Sequence, residues 1–115
     1  MKNNQLTSLI TELKKTSIKE DVKIWKRIAS DLEKPTKSRR IVNLSRINRY
    51  VKNGEIIVVP GKVLSMGELD KKVTVAAYNF SGNAKDKIKQ SGSSVITILD
   101  LIKTNPKGKK VRIIG

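Results

Sequence analysis

The side chains with the most evident chemistry in this sequence are its cations, which gather in short groups. The densest group is Lys37-Ser38-Arg39-Arg40, and another closes the chain at Lys107, Lys109, Lys110 and Arg112. Ammonium and guanidinium groups bind phosphate oxygens, as point charges or as bidentate forks. Both groups indicate contacts with a polyanion, although a solvated surface would have the same composition. Because the first group lies in a polar segment, replacing its cations by Ala is expected to leave the fold intact.

Three further candidate phosphate ligands lie between these two groups. Arg46 and Arg49 are three residues apart, so on a helix they share one face. Lys62 follows Pro60-Gly61, where the absence of a glycine side chain allows a nucleic-acid backbone to approach closely. The spacing of the two arginines also fits a solvent-exposed helix face without a ligand, and Pro60-Gly61-Lys62 also fits an ordinary turn.

Two lysines and two asparagines complete the candidate set. Lys71 and Lys72 are adjacent and would diverge on a strand, so at most one of them is expected to face the ligand. The side chains of Asn43 and Asn48 are able to hydrogen-bond sugar or phosphate, but helix caps and turns use the same residue type. Both interpretations of the asparagines stay open.

Catalytic chemistry has little support in the sequence, which contains neither His nor Cys. These two residues supply much of acid–base catalysis, nucleophilic catalysis and zinc binding. Glu68 and Asp70 lie close in sequence, but their spacing in a loop establishes no catalytic geometry. The segment from Gly61 to Gly67 lacks the Gly-Lys-Ser/Thr of a phosphate-binding loop. We therefore expect no enzyme, no cofactor, no metal site and no small-molecule substrate.

The charge of the whole chain agrees with the local groups. Its 115 residues include 25 Lys and Arg against 10 Asp and Glu, a formal net charge of +15 at pH 7. A compact form with this charge repels itself, so an opposing polyanion is its expected environment. The 37% of hydrophobic residues suffice for a core. No apolar run approaches the roughly 20 residues of a membrane span, so a cytoplasmic protein without a membrane partner is expected.

The first third of the chain contains two helical patterns, and the helices that they predict should support the rest of the molecule. Apolar residues recur at helical spacing over residues 6–13 and again over residues 22–32. Ser17 and Glu20 have the spacing of a capping box, which predicts that the second helix begins at Ser17, and Pro35 ends it. Trp25 lies on the apolar stripe and is predicted to be a core anchor. Residues 1–34 should form a helical hairpin that packs on the remainder of the chain or on a partner.

Residues 35–115 alternate between loop, strand and helix patterns. Residues 36–40 are predicted to be a loop, and Asn43 is predicted to cap a short helix. The apolar run over residues 56–59 indicates a strand buried on both faces, after which Pro60-Gly61 is expected to redirect the chain. Strands are also predicted over residues 72–77 and 95–98, separated by a helix that Ser81 or Asn83 caps. The fold class is α/β with a small mixed sheet, ending in a basic tail.

Several segments resemble a known family. They are Asn43-Leu44-Ser45-Arg46-Ile47-Asn48-Arg49, Val59-Pro60-Gly61-Lys62-Val63-Leu64, Lys72-Val73-Thr74-Val75-Ala76-Ala77 with Phe80-Ser81, Asn105-Pro106-Lys107-Gly108 and Val111-Arg112-Ile113-Ile114. Together with the N-terminal hairpin they are similar to the archaeal and eukaryotic large-subunit ribosomal protein family L-eighteen-e, and the compact length suggests its archaeal branch. The resemblance covers nearly the whole chain. One departure is Ser65-Met66-Gly67, which stands where a second glycine-containing turn is expected after Val63-Leu64.

The resemblance implies both a fold and a function. The family is related to the C-terminal region of bacterial large-subunit protein L-fifteen, which implies an irregular superhelix of strand–strand–helix units behind an N-terminal helical segment. Residues 35–115 would then be the RNA-binding core. The implied function is that of a structural constituent of the large ribosomal subunit, which binds and stabilises large-subunit rRNA beside neighbouring ribosomal proteins, without catalysis.

A basic DNA-binding or chromatin-like protein is the alternative from another class. In that case the helical hairpin would act as the reader of DNA. The cations in this sequence are predicted to lie in loops and the tail, rather than along one exposed helix that suits a major groove. This distribution favours RNA.

Overall fold

In a computed structural model, which describes residues 4–115, helices and strands alternate after an N-terminal pair of helices. The helices are α1 (Asn4–Glu20), α2 (Lys23–Glu33), α3 (Leu44–Tyr50), α4 (Gly82–Gln90) and α5 (Ile98–Thr104). The strands are β1 (Arg40–Asn43), β2 (Ile56–Leu64), β3 (Thr74–Phe80), β4 (Ser94–Thr97) and β5 (Val111–Ile113). This arrangement confirms the α/β class with an N-terminal helical hairpin.

The five strands form one sheet in the order β1-β2-β3-β4, and β5 pairs with the first part of β2 on the same edge as β1. All pairings within residues 4–115 are parallel, so the expectation of a mixed sheet is wrong. The physical reason is that each connection between paired strands returns the chain to the edge of the sheet where the strands begin, which we call the amino edge, before the next strand starts. Helices make most of these returns, and the loop over residues 65–73 makes the one between β2 and β3.

Buried apolar residues cover both faces of the sheet, as the unbroken apolar run in β2 indicates. Ile57 and Val59 point toward α3 and α4 on one face. Val58 points toward α1, α2 and α5 on the other face. The hairpin thus packs on the rest of the chain, which is the first of the two expected alternatives. Within residues 4–115 no helix combines the length and apolar character needed to cross a bilayer.

The hairpin turn lies later than the sequence predicts. Helix α1 continues through Ser17 to Glu20, so Ser17 does not begin α2. Its hydroxyl instead donates a hydrogen bond to the carbonyl of Val22 at 2.7 Å. Asp21 makes the turn with a left-handed φ of 55°, a conformation that Asp tolerates better than most residues. The capping-box spacing was misleading because α1 continues past Ser17, and the Ser17 hydroxyl stabilises the turn after α1 instead of capping α2.

Two short strands and one bulge were missed in residues 35–115. Residues 36–38 form a single 3-10 turn, but Arg40 begins β1 instead of ending a loop. Val111 begins β5 within the predicted tail. Pro60-Gly61 does not redirect the chain, because β2 runs through it with only a shift of register against β3. Ser81, the first of the two predicted candidates, caps α4, with its side chain accepting a hydrogen bond from the amide of Ala84.

Candidate nucleic-acid interface

The predicted phosphate ligands differ in whether the protein already holds their charged ends. Six of them are exposed, and no hydrogen bond or ion pair from another part of residues 4–115 reaches their charged groups: these are Lys37, Arg49, Lys62, Lys72, Lys109 and Lys110. We call these six the free cations. Their ammonium and guanidinium groups are available to an external anion without breaking an internal contact.

The three cations from Lys37 to Arg40, in the linker after α2 and at the first residue of β1, have different contacts. Lys37 is exposed in the 3-10 turn. Arg39 donates from Nε to the carbonyl of Lys34 at 3.2 Å and lies over the ring of Tyr78, 5.4 Å from its centroid. Arg40 donates from Nη2 to Oδ2 of Asp31 at 3.2 Å, and Asp31 is only 7% exposed. Arg40 is therefore a partner of a buried carboxylate, which contradicts the expectation that its replacement leaves the fold untouched.

Helix α3 carries two candidate arginines on its exposed side. It forms at this place because Leu44 and Ile47 bury one stripe against the sheet. Arg46 donates from Nη2 to the backbone oxygen of Gly115 at 3.2 Å and lies 5.4 Å from the ring centroid of Tyr50. Arg49 is one of the free cations. The two arginines share one face, as their spacing predicts, but only one of them is unengaged.

The two candidate asparagines have internal roles. The Oδ1 atom of Asn43 accepts from the amide of Met66 at 3.2 Å, and that of Asn48 accepts from the amide of Asp70 at 3.0 Å. Lys71 adds a third link, because its Nζ donates to the carbonyl of Asn48 at 2.6 Å. These contacts tie the loop over residues 65–73 to α3. The two asparagine contacts use the Oδ1 atoms, which the sequence interpretation considered as possible hydrogen-bond acceptors for RNA.

The same loop contains the departure from the family pattern. Gly67 has a φ of +94°, and a Cβ there would lie 2.5 Å from Cβ of Ser45. The amide of Ser45 also donates to the carbonyl of Met66 at 3.0 Å. Glycine is thus required at position 67 by both backbone conformation and space, so the turn expected after Leu64 lies at residues 65–67.

A second group of cations lies at the amino edge of the sheet. Parallel strands start at one edge, so Lys72 before β3 and Lys110 before β5 lie on the same side of the molecule. The backbone of residues 54–56 connects them: the amide of Gly54 donates to the carbonyl of Lys72 at 2.8 Å, and that of Ile56 donates to the carbonyl of Lys110 at 3.0 Å. Lys62 lies apart from this group, near the far end of β2.

Two of the candidate cations at this end of the chain are paired with acids. Lys107 lies 2.9 Å from Oε1 of Glu20, and Arg112 lies 3.2 Å from Oε2 of Glu55. The hydrogen bond from Lys107 lowers the pKa of Glu20. The pKa of Glu55 is also lowered, first by the hydrogen bond from the amide of Lys52 and then by that from Arg112. Both carboxylates stay charged, and their two partners are less available to phosphate than Lys109 and Lys110.

The hairpin carries exposed cations that the predicted site does not include. On α2 these are Lys23, Lys26 and Arg27, which we call the hairpin face. The periodicity of the sequence contains the signal, because these positions fall between the apolar positions of the same helix. The expectation that cations avoid an exposed helix is therefore wrong, and it does not separate RNA from DNA as a partner. In the described part of the chain, no group of three or more acidic residues is placed to hold a metal ion.

Comparison with known proteins gives a consistent result. The family of ribosomal protein 60S L18 and 50S L18e matches residues 2–115. Large ribosomal subunit protein eL18 of Methanoregula boonei is 51% identical over 112 residues, which is 97% of this chain and 93% of that protein. The proteins of the same name from Methanococcus maripaludis and Pyrobaculum aerophilum are 45% identical over 113 residues and 41% identical over 112 residues. These alignments cover 98% and 97% of this chain, and 94% and 92% of the two relatives.

The matches run from the hairpin to the last strand, so they include every segment that carries the resemblance seen in the sequence. The relatives are archaeal, as the compact length suggests. This chain belongs to the family of ribosomal protein 60S L18 and 50S L18e, proteins of the large ribosomal subunit.

Proposed function

We propose that this protein binds large-subunit rRNA through its free cations and has a structural role in the cytoplasmic ribosome, without catalysis and without a cofactor. The observation that carries this proposal is the set of six exposed cations that have no internal partner among residues 4–115, on a family member with a net charge of +15. Each such cation adds a phosphate contact and releases counterions, with no internal ion pair to break first.

The arrangement of the free cations favours backbone contacts over base reading. They lie on the linker, α3, β2, the loop before β3 and the turn before β5. Contacts to phosphate fix the position and orientation of a protein on RNA but carry no base information. The sheet and its covering helices hold these positions in a fixed arrangement, so the chain acts as a rigid body that neutralises phosphates on adjacent RNA segments. Neighbouring ribosomal proteins are its expected protein partners.

Crosslinking of the full chain in cells, followed by sequencing of the attached nucleic acid, tests this function. The expected product is large-subunit rRNA, with crosslinked peptides that contain the free cations. Attachment mainly to DNA would support the chromatin-like alternative and overturn the proposal. As a control, the crosslinks should not concentrate on peptides of the α5 segment around Lys103, since Asp100 lies one helical turn away from that lysine.

A further inference from the structure

From Lys23 to Ser30 the outward side of α2 carries cations and a hydroxyl, and the exposed acid further along the helix, Glu33, pairs with Lys14 of α1. The apolar stripe of this helix packs on the sheet. The opposite side exposes the three cations of the hairpin face, Lys23, Lys26 and Arg27, together with Ser30. These three charged groups are neighbours on the helix, and within residues 4–115 no acid forms an ion pair with any of them.

This arrangement is unfavourable for the protein alone. Lys23 lies three residues before Lys26 and four before Arg27, and like charges at these spacings cost about 0.2–0.5 kcal/mol per pair. The first turn of α2 also contains no acidic residue, so its cations face the positive end of the helix dipole. An external anion would relieve both effects.

The acids closest in sequence are mostly engaged elsewhere. Glu20 pairs with Lys107, and Glu33 pairs with Lys14 at 3.2 Å. Asp31 accepts from both Lys34 and Arg40. Asp21 is exposed in the turn before α2, and within residues 4–115 it pairs with no cation of the hairpin face. The positive charge of the hairpin face is thus not balanced from within the described chain.

We infer that the hairpin face is a second RNA-backbone surface, and that one protein molecule bridges two RNA segments. This inference rests on the proposed function and extends it. Helix α2 packs on one face of the sheet, whereas α3, which carries Arg46 and Arg49, packs on the other. Their outward sides face in opposite directions from a body with Cα extents of 35 × 31 × 18 Å. A straight RNA duplex on one side does not reach the other, so two segments are needed to occupy both.

The composition of the hairpin face favours nucleic acid over protein as its ligand. Cores of protein interfaces are rich in aromatic residues and Met and poor in Lys. Between Lys23 and Ser30 the outward side of α2 exposes no apolar side chain of that kind, since Trp25 and Ile28 are fully buried. Long flexible cations on a rigid helix suit the phosphates of a duplex, which need charge and reach more than shape.

A bridging experiment with the full chain tests this inference. Two short RNA duplexes of unrelated sequence, one labelled with a fluorescence donor and one with an acceptor, are mixed with the protein at low salt. Energy transfer and a complex of two duplexes per protein molecule are expected. The Lys23→Gln, Lys26→Gln, Arg27→Gln variant should lose the energy transfer and bind one duplex. The Arg46→Gln, Arg49→Gln variant should also reduce the energy transfer, because it removes two cations from the opposite side.

The matched control removes the same charge elsewhere. Lys85, Lys89 and Lys103 are exposed on α4 and α5, each with an acid within three residues, and their replacement by Gln should leave bridging intact. Equal loss in this control would assign the effect to net charge and overturn the inference. So would bridging that depends on protein dimers in sedimentation, or a hairpin-face variant that still bridges two duplexes. Binding of rRNA without bridging overturns only this inference, whereas no binding of rRNA overturns the proposed function as well.

Discussion

At the scale of the residue, neighbouring cations of one basic segment have different roles. Lys37 is exposed, whereas Arg40 contacts a buried carboxylate from the start of a strand. Charge and spacing in the sequence do not separate these two cases, because the difference arises when α2 places Asp31 beside β1. Basic residues should therefore be assigned to RNA or to the fold only after their internal partners are known.

We predict that Arg40→Ala lowers the free energy of unfolding by about 1–2 kcal/mol, because it removes a charged hydrogen bond from a buried carboxylate. Lys34 still pairs with Asp31 and limits the loss. Lys37→Ala should change stability by less than about 0.5 kcal/mol, as exposed substitutions usually do. Chemical denaturation measures both. In a double-mutant cycle with Asp31→Asn, the two effects should be less than additive, and full additivity would contradict the pairing.

Trp25 is a second residue whose role is structural. It is fully buried, and its Nε1 donates to the carbonyl of Pro106 at 2.8 Å, which joins α2 to the turn before β5. Trp25→Ala should destabilise the protein by about 3–5 kcal/mol. Trp25→Phe keeps most of the packing but loses the hydrogen bond, so it should cost less, about 1–2 kcal/mol.

Circular dichroism should follow these two unfolding curves, since Trp25 is the only tryptophan and its removal abolishes that fluorescence signal. RNA affinity measured under conditions where each variant is folded should stay unchanged. A loss of affinity with normal stability would make Trp25 a base-stacking residue instead of a core anchor.

At the scale of the element, most of the helices and the strands β2, β3 and β4 were predictable, whereas β1 and β5 were not. The apolar run over residues 56–59 and the cap at Ser81 carry their own local signals. β1 and β5 have four and three residues, and they exist because β2 offers hydrogen-bonding partners on one edge. Such short segments contain too few residues for a period of two to be recognised. The parallel direction of the sheet is likewise a property of connections, not of any single segment.

The continuity of β2 through Pro60-Gly61 depends on the missing side chain of Gly61. A Cβ at this position would collide with the carbonyl oxygen of Arg40, which pairs with Gly61 across β1 and β2. Because backbone atoms on both strands would have to move, Gly61→Ala should destabilise the protein by more than about 2 kcal/mol. Thermal or chemical unfolding measures the change.

Gly82→Ala is the matched control for this substitution. A Cβ at Gly82 meets no atom within 4 Å, and the residue lies at the start of α4 with an ordinary φ. Its replacement should leave stability unchanged or raise it by up to about 1 kcal/mol, because the unfolded chain loses conformational freedom. Equal effects at both glycines would show that the close approach of β1 to β2 does not constrain position 61.

At the scale of the whole molecule, the cations are distributed over several elements instead of forming one site. Some stabilise the fold through Asp31, Glu20, Glu33 and Glu55, and the free cations remain available to an anion. This division explains why the net charge of the sequence could indicate a polyanion partner, while the distinction between internally paired and free cations required the structure. A protein of this kind should bind RNA through many weak contacts that add together.

Binding of rRNA should therefore depend steeply on salt. If six to eight phosphates are engaged, the slope of log affinity against log salt should be about −4 to −7. Replacing the free cations Lys37, Lys62 and Lys109 by Gln should bring the slope closer to zero by about 2–3, one phosphate for each residue. The midpoint of unfolding should not fall, because no internal contact is lost and self-repulsion decreases. Matched and scrambled RNA should weaken by similar factors, since phosphate contacts carry no sequence. A slope that stays unchanged, or an affinity loss restricted to one RNA sequence, would contradict the proposed role of these three lysines.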